Sequence, residues 1–312
     1  MQKLVVAVGE VLWDLLPSAT ILGGAPFNFV YRVNSLNDRG IIVSRLGEDV
    51  FGRQAVGKVE NLGLDSKYLQ WDTQYPTGTV KVSFDEDRNP DYVIVPGVAY
   101  DHLQTSPALE DLVKQANCFC FGTLIQRELP AREALKSILA HAGNAIKFLD
   151  INLRKKCYSK ETIEFSLRQA NILKLNDEEV APTASIVDIS YRTLPEFCEK
   201  IATNWELDYC LVTLGENGAF GFSNEGERVY VPGYKVVLAD PLGSGDAFSA
   251  GFVHRILGGA SFAAACEFGN VLGSLAATKP GATAEISHDE IAQFLEEPRE
   301  RNINSRLAEY QI

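Results

Sequence analysis

Residues 240–252 read Asp240-Pro241-Leu242-Gly243-Ser244-Gly245-Asp246-Ala247-Phe248-Ser249-Ala250-Gly251-Phe252. Glycines at 243 and 245 allow a tight turn, and the small and apolar residues after Asp246 suit a helix. The first N–H groups of such a helix have no partner within it and point at an anion. They can stabilise the charge that develops on a phosphoryl group in transfer. Asp246 puts a negative charge where that anion would sit. It reads as the N-cap of the helix or as a general base for an attacking hydroxyl, and the two roles are compatible.

Buried-strand signals precede this stretch at Leu4–Val8, Ile41–Ser44, Cys118–Phe121, Ile146–Asp150, Ile172–Leu175, Tyr209–Thr213 and Gly218–Phe222. Most are continuous apolar runs. Helical patterns lie between many of them, at Glu133–His141, Lys160–Gln169 and Leu194–Asn204. Strands buried on both faces and alternating with helices predict an α/β fold with a mostly parallel sheet covered on both sides. Two stretches break the rhythm. Thr79–Phe84 and Tyr92–Val95 alternate around a polar turn at Asp85–Pro90, which predicts an antiparallel hairpin, and Val11–Leu16 with Ile21–Leu22 predicts a second short pair. A small β-layer of this kind suits a lid over the strand ends. The charged segment Glu296–Ile312 reads as a terminal helix or loose tail.

Acidic side chains outnumber basic ones by 41 to 29, a net charge of −12 over 312 residues, which argues against nucleic-acid binding. The 46% hydrophobic and 22% charged content is that of a globular chain able to bury a large core. The opening apolar run stops at Gly9-Glu10 without the pattern of a signal peptide, and no run reaches the roughly 18–20 residues of a membrane span. A cytoplasmic protein is expected. Six cysteines without a Cys-x-x-Cys pair read as small buried hydrophobes, and four scattered histidines lack zinc-ligand spacing. Gly52–Lys58 matches most of a phosphate-binding Walker loop. Val59 follows where a Ser or Thr hydroxyl should reach magnesium, so the match is rejected.

Five ordered blocks resemble the ribokinase-like sugar kinases, the PfkB carbohydrate kinases, from Gly9 to about Gly281. They are Gly23-Gly24-Ala25-Pro26-Phe27-Asn28, Leu46–Gly52, Asn176-Asp177-Glu178-Glu179, Val212–Ala219 and Asp240–Phe252. The resemblance implies a ribokinase-like three-layer sandwich, one domain over 1–312 with a small β-sheet lid formed roughly by 11–24 and 72–98. It implies an ATP-dependent kinase in which Asp246 is the catalytic base and the amides of Gly243, Ser244 and Gly245 form an anion hole. Asp14, Asn28 and Asp246 would meet sugar hydroxyls, with Gly24 letting the sugar lie against backbone. Asn176 and Glu179 would organise water-bound Mg2+, an ion that tends to keep its waters. Thr213, Gly215, Gly218 and Asn270 would line the nucleotide pocket with Gly243 and Gly245. Each also has a plain structural reading: Asp14 and Asn28 as turn or cap residues, Asn176 with Glu179 as a capping box, Thr213-Leu214-Gly215 as a strand end and turn.

Asp150-Ile151-Asn152-Leu153-Arg154 resembles the fructokinase-like branch and the related ketodeoxygluconate kinases, and Gly122–Arg127 and Val98–Asp101 also look fructokinase-like. Arg154 would contact substrate or phosphate. Acid-sugar relatives tend to carry an arginine on the lid strand, where this chain has Val93-Ile94-Val95-Pro96, although Arg154 or Arg127 could substitute. Fructose leads over ketodeoxygluconate, another small polyol or a nucleoside. A catalytically silent relative is the reading from another class. In relatives K+ sits beside Asp240. Here Pro241-Leu242 replaces the family's threonines and Lys279 could supply the charge instead. A homodimer through the lid is expected, because an open sheet edge favours partner strands.

Overall fold

Alternate residues of the central strands are apolar on both faces, so each strand needs cover on both sides. In the computed structural model, which describes residues 2–16, 19–84 and 90–312, they have it. The strands are β1 (Leu4–Val8), β2 (Leu12–Leu16), β3 (Ala19–Gly23), β4 (Arg39–Gly47), β5 (Leu69–Asp72), β6 (Gly78–Phe84), β7 (Pro90–Ile94), β8 (Cys118–Phe121), β9 (Ile146–Asp150), β10 (Ile172–Asn176), β11 (Tyr209–Thr213), β12 (Ala219–Ser223), β13 (Arg228–Val231), β14 (Gly233–Tyr234) and β15 (Arg301–Asn302). The helices are α1 (Ala25–Ser35), α2 (Val50–Asn61), α3 (Pro107–Lys114), α4 (Leu129–Ala140), α5 (Lys160–Gln169), α6 (Asp177–Ile186), α7 (Leu194–Trp205), α8 (Ser244–Leu257), α9 (Phe262–Ala277) and α10 (His288–Glu296).

Nine strands form the main sheet in the order β13-β12-β11-β10-β9-β8-β1-β4-β5. Neighbours from β5 to β11 run parallel, and β12 pairs antiparallel with both β11 and β13. Period-two alternation divides the core. Val6, Val8, Phe119 and Phe121 pack with α3 to α7 on one face. Val5, Ala7, Cys118 and Cys120 pack with α1, α2, α8 and α9 on the other. The result is a three-layer α/β sandwich with a mostly parallel sheet.

A second, four-stranded sheet has the order β3-β2-β6-β7. β2 is antiparallel to β3 and parallel to β6, and β6 is antiparallel to β7. β7 starts at Pro90, two residues before the expected strand, while 85–89 of the expected turn lie outside the described residues. Gly218 lies before β12, because its φ of +89° is incompatible with a strand.

The C-terminal segment is neither helix nor loose tail. After α10, Arg301–Asn302 pairs with Gly233–Tyr234. Arg301 stacks 3.4 Å from the Tyr234 ring centroid and pairs with Glu267 at 2.6 Å, and Leu307 is buried. These contacts hold a segment whose charged composition alone suggested solvent. The rejected Gly52–Lys58 loop lies within α2, capped by Asp49 through the Gly52 N–H at 2.7 Å. No described helix is long and apolar enough to cross a membrane.

Candidate active site

The strand order reverses at β1: β4 lies on one side and β8 on the other, and neither is the next strand in the chain. In parallel sheets ligands bind at such a point, beyond the carboxyl ends of the strands. A narrow cleft lies there, lined by Glu10 after β1, Gly122 and Thr123 after β8, Asp150 and Asn152 at β9, and Ala25 and Pro26 of α1.

Asp246 faces this region from the first turn of α8. The helix is capped by Gly243 in the left-handed region (φ +78°), so Asp246 is the third helical residue and not the N-cap. A Cβ on Gly243 would lie 2.5 Å from Ala282 Cβ, which gives the glycine a second justification. Asn28 Nδ2, one turn into α1, donates to Asp246 Oδ2 at 2.9 Å. Burial pushes the Asp246 carboxyl up to about 6, and the nearby Asp150 carboxylate adds to the rise against Lys174, Asn28 and Arg154. Asp246 therefore titrates near neutrality, as an effective base must.

Of the three amides expected to form the anion hole, Ser244 departs. Its N–H and hydroxyl both go to the Pro241 carbonyl, at 3.2 and 2.8 Å. The Gly243 and Gly245 amides have no acceptor among the described residues. Beneath Gly245 lies Lys174, whose Nζ would be 3.2 Å from a Cβ at that position. Lys174 is buried on β10 and bonds Asp150 of neighbouring β9 at 3.1 and 3.2 Å. Burial alone would lower its pKa. Asp150, Glu179 and Asp246 outweigh that and raise it, so it stays cationic.

Asp14 lies on β2 of the small sheet, and burial raises its pKa while Arg154 opposes. Arg154, exposed after β9, acts in the same sense on Glu10 and Asp246. The structure thus brings Asp14, Asn28, Arg154 and Asp246 from four separate elements to one place. Gly24 (φ +117°) lies against protein: a Cβ there would approach the Glu10 carbonyl to 2.3 Å.

Asn176 and Glu179 form a complete capping box on α6. Glu179 Oε2 accepts the Asn176 N–H at 2.8 Å, Asn176 Oδ1 accepts the Glu179 N–H at 3.0 Å, and Glu179 Oε1 also accepts the Leu153 N–H at 2.7 Å. Burial raises the Glu179 pKa and Asp150 adds to it, against Lys174 and those amides. In-register pairing puts Thr213 of β11 beside Asn176. The turn after it carries Gly215 (φ +55°) and Gly218 (φ +89°). Asn270 is buried on α9 with its amide donated to the Pro232 carbonyl at 3.0 Å, so it braces the wall behind that turn.

Two further expectations change. Lys279 pairs with Glu290 of α10, so its charge is spent away from Asp240. Asp240 uses one oxygen for the Leu242 N–H and the other for the Gly281 N–H, both at 3.0 Å, tying two loops together. Arg127 is fully engaged: it meets Asp101 at 2.7 and 2.8 Å and the Val95 carbonyl at 2.8 Å. Sequence reasoning missed Lys174 and Glu10. The first was visible only as one charge inside the apolar run Ile172–Leu175, the second as the acid ending the first strand.

A model of the pfkB family carbohydrate kinases matches residues 19–289. The chain belongs to this family. It is an ATP-dependent carbohydrate kinase. It is 28% identical to fructokinase-1 of Oryza sativa subsp. japonica, over 94% of this chain and 98% of that protein. A sugar kinase from Pyrococcus horikoshii, solved in complex with ATP, superposes with a TM-score of 0.78 at 25% identity, over 93% of this chain and 97% of that one. A fructokinase from Vibrio cholerae with fructose, ADP and calcium bound has the same fold, with a TM-score of 0.79 at 23% identity over 95% and 99% of the chains.

Proposed function

We propose that this carbohydrate kinase transfers the γ-phosphoryl group of ATP to a sugar hydroxyl deprotonated by Asp246, and that the sugar is fructose. The observation that carries the reading is the Asn28–Asp246 contact at the glycine-rich start of α8, with the carboxyl held at about 6. A base of that pKa is ionised at neutral pH yet still accepts a proton from an approaching hydroxyl. Asn28 Oδ1 is buried without a donor, an acceptor suited to a sugar hydroxyl. Asp14 offers a second acceptor from the small sheet, which acts as a lid over the sugar. The Gly243 and Gly245 amides, with Lys174 beneath them, favour charge on the transferred group.

Among the described residues no three acidic, His or Cys side chains converge into a metal cage. Glu179 keeps lone pairs beyond its two backbone bonds, which suits an ion held chiefly by phosphates and water. Magnesium bound there would neutralise phosphate charge, with Asn176 and Glu179 orienting its waters. Thr213, Gly215 and Gly218 border the nucleotide, and Asn270 keeps their wall in place. Potassium beside Asp240 belongs to the same proposal: each carboxylate oxygen accepts one amide and keeps a lone pair for an ion. Engagement of Arg127 by Asp101 removes one of the two arginines that could have met a sugar carboxylate, which supports neutral fructose over ketodeoxygluconate. The six buried, unpaired cysteines fit a cytoplasmic setting. Two copies are proposed to pair through the lid, as gel filtration would read.

Steady-state kinetics over a panel of sugars and nucleosides, with and without potassium, tests the substrate; fructose ranking low overturns it. Asp246→Asn tests the mechanism. It is expected to fold and bind ATP but lose about 10³-fold or more in kcat. Full turnover in that variant sinks the assignment of the base.

A further inference from the structure

The chain passes from the main sheet to the small sheet at Gly9–Val11 and returns at Gly23–Ala25. The two crossings touch. A Cβ on Gly9 would lie 2.5 Å from Pro26 Cγ, and one on Gly24 would lie 2.3 Å from the Glu10 carbonyl oxygen. Helix α1 starts at this contact, yet its N-cap Gly24 has no side chain to offer and its first turn contains no acid. The N–H of Ala25, the first helical residue, is met instead by Glu10 Oε1 at 3.2 Å. Glu10 is only 6% exposed and lines the cleft beside Asp150. One turn along α1, Asn28 bonds back to the Gly24 carbonyl at 3.0 Å through its N–H and reaches Asp246 with its side chain at 2.9 Å.

We infer that Glu10 is a positioning residue for phosphoryl transfer: its side-chain oxygen caps α1 from the neighbouring crossing and so fixes Asn28 against Asp246. The inference rests on reading Asp246 as the base. A helix start leaves four N–H groups without partners inside it, and a Ser, Thr or Asp at the N-cap usually meets that of the second or third helical residue. At α1 the N-cap Gly24 has no side chain, and the second residue, Pro26, has no N–H. Here the cap comes from the outgoing crossing, so the start of α1 is tied to the hinge of the small sheet. Burial pushes the Glu10 carboxyl up to about 7, against its own backbone, Arg154 and the Ala25 amide, which makes glutamine a close stand-in for the capping oxygen.

The test compares Glu10→Ala with Glu10→Gln, reading kcat, the KM of sugar and of ATP, and the urea unfolding midpoint. Glu10→Ala is expected to lower kcat about tenfold or more and to raise the sugar KM, with the KM of ATP nearly unchanged. Glu10→Gln is expected to recover kcat to within about threefold of the parent. Parent-like kcat in the alanine variant overturns the inference. So does a glutamine variant that has lost tenfold or more, and that variant is decisive even when the alanine variant fails to fold. Asp246→Asn runs alongside. Full turnover there removes the base and this inference with it, whereas an inactive Asp246→Asn beside an unaffected Glu10→Ala removes this inference alone.

Discussion

Asp246 is poised by opposition between its neighbours. Burial and the Asp150 carboxylate push its proton affinity up, and Lys174, Asn28 and Arg154 pull it back. Asp150→Asn removes the like charge and frees Lys174, both of which lower the Asp246 pKa. The acid limb of the kcat/KM profile, expected near pH 6 in the parent, should therefore move to lower pH; an unmoved or raised limb would detach Asp150 from the base. The same shift governs stability. The folded carboxyl binds its proton more tightly than the unfolded one, whose value is 3.8. Its contribution is thus full below pH 3.8 and lost as pH rises through 6. Asp246→Asn should be more stable than the parent at pH 8, by on the order of 2 kcal/mol after solvent screening, and the gap should close toward pH 4 in urea titrations. Asn28, Arg154 and Asp246 stand out in the sequence because each sits in a recognisable block, whereas Asp14 lies outside those blocks and is reached only through the family resemblance. Lys174 does not stand out, since its meaning comes from the register that pairs it with Asp150 across β9 and β10, and a linear string carries no register.

Between the small sheet and the main body, the contact that matters at the level of elements is Arg127 with the Val95 carbonyl just beyond β7, and Asp101 holds that guanidinium in place. The Arg127 and Asp101 side chains are nearly inaccessible, at 6% and 0% exposure. Removing one partner of such a pair strands a buried charge, which typically costs about 3–5 kcal/mol. Arg127→Met should lose about that much in urea unfolding, and Arg127→Met with Asp101→Asn should regain part of it. An equal loss in the double variant would mean that the Val95 contact, not the charge, holds the joint. The hairpin of β6 and β7 was readable because its alternation is a local property of the chain. The pairing of β14 with β15 was not: two-residue strands have no period to detect, and what holds Arg301 is the Tyr234 ring and the Glu267 carboxylate contributed from elsewhere.

At the scale of the whole molecule, alternation of strands and helices announced a parallel sheet, but the strand order could not be read from it. Apolar runs buried on both faces look alike wherever they stand in the sheet. The −12 charge likewise says little about the site, where Lys174 is held under the helix start by Asp150. The strand order has a consequence in time. β1 lies between β4 and β8, so one of its neighbours follows closely in the chain and the other begins only at Cys118. On a ribosome the stretch from Val43 to Cys118 takes roughly 4–15 s to make. Through that interval β1 has one open edge, and a slow, long-range pairing has to wait. Stalled nascent chains of increasing length should show Leu4–Val8 protected from protease only after Phe121 has emerged, and protection in chains ending before Cys118 would refute this. The strand that later carries Glu10 to the cleft is thus an early product of synthesis whose pairing is completed late, so the cleft cannot take shape until more than a third of the chain has been made.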